Sequence, residues 1–267
     1  MAQNMELQET YSKLVDAKLR EESIFTGLFN QRHDGIVTAG AVKIPVRDEA
    51  AIGSYDIENG GNLNYTATSY QTLVCDNDYY VNELIDGFVA AAVPDEMVAE
   101  RLDSAAYVMA DKIDTDLIGL CVSDGTAFTA TKKTASVYGV ITEAIQTVRK
   151  LKVKKSEMWL AVSPDYALDI INDDKFIAAS NLGDDIKVNG LLGKINGVVV
   201  YESENVPTGT DFVLGNNVFC HYVDDWTVPV SVDDLKDGKH IGASAVQGRK
   251  VGGAKITKPE TVLVKAS

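Results

Sequence analysis

Residues 90–117, AAAVPDEMVAERLDSAAYVMADKIDTDL, decide how the rest of the chain is read. Pro94 suits a first helical turn, because its φ is preset and its missing N–H is not needed there. Asp95, Glu96 and Glu100 place carboxylates at the positive end of the helix dipole. Val98, Leu102, Ala105, Met109, Ile113, Leu117 and Leu120 recur every three or four residues, so the spacing predicts one helix over residues 94–122. About 28 residues of helix would span about 42 Å. Ser104, Ala105 and Ala106 interrupt any coiled-coil seam, and the expected partner is therefore a sheet.

On the N-terminal side, residues 41–46 (AVKIPV) and 66–75 (TATSYQTLVC) are β-branched and partly alternating. They flank a polar stretch containing Asn59, Gly60, Gly61 and Asn62. That pattern predicts a long hairpin with a broad tip. Arms of about 15 residues at about 3.3 Å each would reach on the order of 50 Å, too far to fold back usefully on a domain of this size. Exposed strands of that length invite pairing, so a partner surface is expected; the plainer reading is a hairpin lying flat on its own core. Further out, Leu7, Tyr11, Leu14, Val15, Leu19, Ile24 and Leu28 form one stripe over residues 5–29, which fits either a projecting arm or an ordinary surface helix.

On the C-terminal side, a linker with glycine and threonine at residues 124–134 leads to a second expected helix over residues 136–151. Val137, Val140, Ile141, Ala144, Ile145 and Val148 share one of its faces. The basic run Arg149, Lys150, Lys152, Lys154 and Lys155 complements the C-terminal dipole of that helix more simply than it makes an anion site. Residues 158–162 (MWLAV) read as a buried strand, Pro164 opens a short helix to residue 171, and residues 173–180 make a further turn or helix. Residues 197–201 (GVVVY) return to strand, which gives a small α/β module. Short strand signals at 212–214, 218–223, 227–232 and 261–264 are expected to pack back on the long helix and the hairpin base.

The 267 residues are 45% hydrophobic and 24% charged, which excludes wholesale disorder and collagen-like or disulfide-built scaffolds. With 25 Lys and Arg against 39 Asp and Glu, the formal charge of −14 argues against a tight grip on nucleic-acid phosphates or anionic lipid. Residues 1–14 lack the layout of a secretion signal and no run of about 18 apolar residues occurs, so no membrane partner is expected. Cys75, Cys121 and Cys220 are odd in number and far apart, as expected of reduced and mostly buried thiols.

Signatures of chemistry are sparse. The chain has no Walker loop, no GxGxxG opening a helix, no GxSxG and no HExxH. Its histidines are His33, His221 and His240. Cys220 beside His221 is the one tempting nucleophile and base, but neighbours on a strand face opposite ways, so a buried thiol beside an outward imidazole is expected. Asp173 with Asp174, Asp184 with Asp185, Asp224 with Asp225 and Asp233 with Asp234 lack the alternating ligands of a calcium loop and read as turn and solubility residues. The run Gly248, Arg249, Lys250, Val251, Gly252, Gly253 has no helix behind it to complete a phosphate cradle and reads as a β-turn or bulge. No catalytic, cofactor-binding or metal residue is assigned, no cofactor is expected, and the protein is not expected to be an enzyme.

In kind and order these segments resemble the major capsid proteins of tailed bacteriophages, the Hong Kong 97-type fold. The resemblance is carried by IFTGLFN (24–30), AGAVKIPVRD (39–48), DNDYYVNELIDG (76–87), the stretch at 90–117, VSPDYALDIINDDKFIAAS (162–180) and GKINGVVVYESENVP (193–207). It implies an α+β subunit with an N-terminal arm (1–35), an extended β-hairpin loop (36–85) and a peripheral domain with spine helix and β-sheet (86–135). An α/β axial domain (136–235) and C-terminal strands returning to the peripheral domain (236–267) would complete it.

The same resemblance implies self-assembly as pentamers and hexamers into an icosahedral phage head enclosing double-stranded DNA. The protein would reside in the virion capsid and be assembled in the bacterial host cytoplasm. Packaged DNA would be touched only weakly and without specificity. A portal would be a further partner and, the arm being short, a separate scaffolding protein or none. Some relatives of this kind crosslink a Lys to an Asn; no such pair is assigned here, although Lys43 and Asn59 sit near the hairpin. An encapsulin-like nanocompartment shell is the alternative with the same fold, and a small-substrate α/β hydrolase or binding domain is the alternative of another class.

Overall fold

The computed structural model describes residues 23–32, 40–47, 49–61, 63, 65–86, 95–131, 136–173, 193–236 and 238–267. In chain order its elements are α1 (Phe25–Leu28), β1 (Ala41–Arg47), β2 (Thr68–Val74), β3 (Asn77–Ile85), α2 (Asp95–Asp124), β4 (Thr126–Ala127), α3 (Val137–Lys150) and β5 (Met158–Val162). They continue with α4 (Pro164–Asn172), β6 (Lys194–Ile195), β7 (Val198–Glu202), β8 (Thr210–Asn216), β9 (Cys220–Asp234), β10 (Ser244–Ile256) and β11 (Leu263–Ala266).

The long helix α2 is 30 residues, about 45 Å at 1.5 Å per residue. Ala105, Met109, Ile113, Leu117, Ile118 and Cys121 form its buried side, which keeps the expected spacing. Pro94, expected to open it, lies outside the described residues, as do residues 5–22 of the arm stripe and residues 174–180 beyond α4. The partner of α2 is a sheet, as its small residues predict: β10 lies between β3 and β9, antiparallel to both. Ile85, Ala105 and Val246 pack together at one end of this contact. Polar ties flank it: Arg101 Nη1 lies 3.4 Å from Glu83 Oε1, and the Tyr79 hydroxyl donates to Asp116.

A second sheet has six strands in the order β4, β11, β8, β5, β7, β6. All five residues of β5 are buried, because the sheet is covered on both faces. Met158, Leu160 and Val162 meet Ile141, Ile145 and Val148 of α3 and Ile170 of α4. Trp159 and Ala161 point the other way, toward Phe25, Phe29 and the side of α2. This is the period-two alternation of a strand applied to two apolar layers. β5 and β7 run parallel, with α4 in the connection between them, which is the α/β module expected from sequence. α3 starts where expected, with Ser136 Oγ accepting from Gly139 N at 3.2 Å and Asp173 Oδ2 accepting from Tyr138 N at 3.0 Å.

Three readings change and a fourth gains detail. The signals at 218–223 and 227–232 belong to one strand, the 15-residue β9, which passes through Pro229. It can do so because β9 is an edge strand and its pairing with β10 shifts register between Gln247 and Lys250, next to the proline. The run from Gly248 to Gly253 is not a turn but part of β10, and the bulge half of that expectation is what the register shift shows. Of the returning segments, β10 reaches α2 as expected; β11 pairs with β8 in the six-stranded sheet, and its Val264 packs with Leu117, Ile118 and Cys121 of α2, so it too returns to the helix. Finally, the β1–β2 ladder has seven residues per arm, about 23 Å, not about 15 residues.

Candidate assembly surfaces

The hairpin has a fixed base and a bare tip. At the base, Val42, Ile44 and Leu73 are buried against Val223 of β9. A Cβ at Gly253 would lie 2.1 Å from Val74 O, so the missing side chain lets the end of β2 rest on β10. Gln71 Nε2 adds a bond to Thr257 O at 3.1 Å. Beyond the ladder, Ile52 is 99% exposed, Ile57 93% and Tyr65 98%, and Leu63 and Tyr55 are also open. The hairpin therefore does not lie flat on its own core. Its tip carries a built turn: Asp56 Oδ1 accepts from Glu58 N at 2.7 Å, and Gly60, with φ of 72°, donates its N–H to Asp56 O at 2.8 Å. The amides of Glu58 and Asn59, both donating to its Oδ1, hold the Asp56 carboxyl below its ordinary pKa.

The root of the N-terminal arm is docked on the body. Phe25, fully buried, meets Trp159 edge-on with ring centroids 6.0 Å apart, and Phe29 follows at 6.1 Å. Asp114 of α2 is 2% exposed and accepts from Ile24 N at 2.7 Å, Thr26 N at 3.3 Å and Phe25 N at 3.4 Å. Burial raises the Asp114 carboxyl above its usual pKa, and the amides of residues 24–26 and the Ser23 side chain oppose this. Asn30 then bridges to β9, donating to Cys220 O at 2.8 Å and accepting from Tyr222 N at 3.1 Å.

Between the arm root and β1 opens a cleft of about 690 Å³. Its walls include Phe29, Ile44, Val46, Val218 and Phe219, and Arg32 and Lys258 stand at its exposed rim. Lys258 Nζ sits 4.8 Å from the centre of the Phe219 ring. Glu157, the carboxylate among the described lining residues, has Lys154 Nζ at 3.5 Å from Oε1.

The residues singled out in sequence are scattered. Cys220 and His221 do point to opposite faces, but the imidazole is not outward: His221 is 6% exposed, beneath the cleft and 3.5 Å from Thr257 Oγ1. Asp173 caps α3, Asp224 pairs with Lys250 and accepts from Tyr222 Oη, Asp233 accepts from Ser231 Oγ and Asp234 from Ser244 Oγ. Each has structural work in a cap or on the sheet. Asp174, Asp184, Asp185, Asn62 and His33 lie outside the described residues. Lys43 and Asn59 are both exposed, on β1 and in the tip. Among the described residues no three His, Cys, Asp or Glu side chains are grouped to hold a metal, and no helix is long and apolar enough to cross a membrane. Sequence reasoning passed over Asp114; its signal was a carboxylate next to Ile113 on the apolar side of α2.

A long helix on a β-sheet, a separate α/β layer and a projecting hairpin with a bare apolar tip define a shell subunit of the Hong Kong 97 type. Solved structures share this fold. One from Mycobacterium phage Che8 superposes with a TM-score of 0.79 at 20% identity over 99% of this chain and 98% of that one. The capsid of the cyanophage P-SCSP1u gives 0.79 at 10% identity over 97% and 92%, and the mature capsid of bacteriophage PhiM1 gives 0.69 at 15% over 97% and 91%. No curated protein sequence matches the chain. The chain belongs to the phage capsid protein family, whose profile matches residues 90–264, and it is a structural major capsid protein.

Proposed function

We propose that the protein builds the wall of a phage head, self-assembling as pentamers and hexamers into an icosahedral shell around double-stranded DNA, with the hairpin as the strap between subunits. The observation that carries the strap is the exposure of Ile52, Ile57, Leu63 and Tyr65 on a hairpin whose base is fixed. Covering each such side chain contributes about 1.5–3 kcal/mol, a gain only another molecule can supply. A surface of this kind laid on an identical neighbour is a heterologous contact, which forms rings where the rotation between neighbours closes.

In this reading residues 1–35 are the arm and residues 36–85 the extended loop. α2 with β10 forms the peripheral body and α3, α4 and the six-stranded sheet the axial one; β9, within the residues 136–235 expected to be axial, goes with the peripheral body in this reading because its partner is β10. The role is mechanical and not enzymatic: Asp114, a buried carboxylate on α2, is occupied with backbone amides. The charge of −14 supports weak, non-specific contact with packaged DNA. A portal, and either a separate scaffolding protein or none, would complete its partners, with assembly in the host cytoplasm and residence in the virion. The match to phage capsid proteins favours a genome as contents over the cargo of a nanocompartment.

Negative-stain microscopy of the overexpressed chain tests the proposal, the expected result being shells, tubes or rings. Deleting residues 54–64 should leave a soluble, folded subunit that no longer assembles. Normal particles from that deletion would refute the strap.

A further inference from the structure

We infer that the cleft between the arm root and β1 is the seat of the hairpin tip of a second copy of the chain. This rests on the capsid reading and adds to it the place and chemistry of the contact. Residues 48–67 contain Asp48, Glu49, Asp56 and Glu58 and no Lys, Arg or His, so the tip is acidic as well as apolar. The cleft is the converse. Phe29, Ile44, Val46, Val218 and Phe219 give it an apolar side among polar groups such as Asn30, Asn217 and Thr257, Arg32 and Lys258 stand at the rim, and its Glu157 is engaged by Lys154. At about 690 Å³ it lies within the range, about 300–1,000 Å³, of pockets that enclose a compact group of atoms.

The subunit's own tip does not fill this space. Ile44 and Val46 of its own β1 form one wall, and the tip side chains beyond them are almost fully exposed. The turn at 56–60 gives the tip a preformed end to insert, which limits the ordering cost of docking. Opposite charges at a solvent-accessible rim steer the approach and make it sensitive to salt. Because tip and cleft are different surfaces of one chain, each copy both gives and receives, and the contact propagates head to tail.

The test is a pair of substitutions in the full chain, Ile57→Cys with Val218→Cys, oxidised with diamide after assembly. The expected result is a ladder of covalent multimers on a non-reducing gel, with each single substitution giving dimer at most. Particles that form normally and yield no ladder would overturn the assignment of the cleft while leaving the capsid reading intact. If the double variant does not assemble, charge exchange decides. Lys258→Glu should lower particle yield at least tenfold near physiological salt, and Glu58→Lys in the same chain should restore it. Wild-type yield from Lys258→Glu, or no restoration by the second change, would overturn the inference. An unaltered chain that forms no particle or ring at any concentration would refute the capsid reading itself.

Discussion

Replacing Asp114 with alanine should detach the arm root without unfolding the body. The carboxylate accepts from Ile24 N at 2.7 Å, a full-strength bond, and from Thr26 N and Phe25 N at 3.3 and 3.4 Å, where bonds are weaker. A hydrogen bond to a charged group contributes about 1.5–3 kcal/mol, and desolvation of the carboxylate, visible in its raised pKa, offsets part of the total. One full bond and two weak ones, less that offset, give about 2–4 kcal/mol for Asp114→Ala. If the loss is local, hydrogen exchange of the amides of residues 24–26 should accelerate about 30- to 1,000-fold, at about tenfold per 1.4 kcal/mol. The urea midpoint of the whole subunit should move much less. Asp114→Asn keeps an acceptor oxygen and removes the buried charge, so it should cost about 1 kcal/mol or less. Exchange mass spectrometry of the three proteins at pH 7 reads this directly. Unchanged protection in the alanine variant, or equal loss in both, would refute the role given to the carboxylate.

Three other outcomes are expected. Gly253→Ala forces a Cβ to within 2.1 Å of Val74 O and should lift the hairpin base from β10, seen as faster maleimide labelling of the half-buried Cys75; an unchanged rate would contradict the close approach. Gly215→Ala places a Cβ 2.2 Å from Trp159 Cζ2 in a closed core and should cost about 1–3 kcal/mol in urea unfolding, whereas a neutral result would mean the ring has room to move. Burial, then the bond to Asp116, pushes the Tyr79 hydroxyl up to about 12 from its ordinary 10. The unfolded chain therefore loses this proton first, and stability should fall as pH rises from 10 toward 12. Tyr79→Phe should lack that component of the decline, and parallel curves for the two proteins would count against it.

What was legible in sequence was whatever followed a period. The side of α2, the buried face of α3, the apolar run of β5 and the two arms of the hairpin all follow from spacing, and the structure keeps them. β3 escaped because Asp78, Asn82 and Glu83 make it look like a loop; Asp78 is in fact tied to Arg249 of the neighbouring strand, with Nε to Oδ1 at 2.9 Å. β10 escaped because Gly248, Gly252 and Gly253 lower strand propensity, yet each is a place where another chain segment comes too close for a side chain. Pro229 split β9 in two on paper, since the tolerance of an edge strand for proline depends on which strands are neighbours. The cleft could not be read at all. Arg32, Ile44, Phe219 and Lys258 are brought together only by the arm root settling on β9 beside the hairpin base.

Between β1 and β2 the described residues share a single internal bridge, from Asp56 to Gly60. Outside the preformed turn at 56–60, the freedom of the tip would be surrendered only when a neighbour receives it, at about 1–2 kcal/mol per residue fixed. Under the docking proposal, each new link in a growing wall would be weaker than its contact area suggests, and a wrongly placed molecule could leave before others lock it in. Annealing of errors would thus come from the sparseness of the tip, with permanence arriving only when the closed lattice holds every copy from several sides at once.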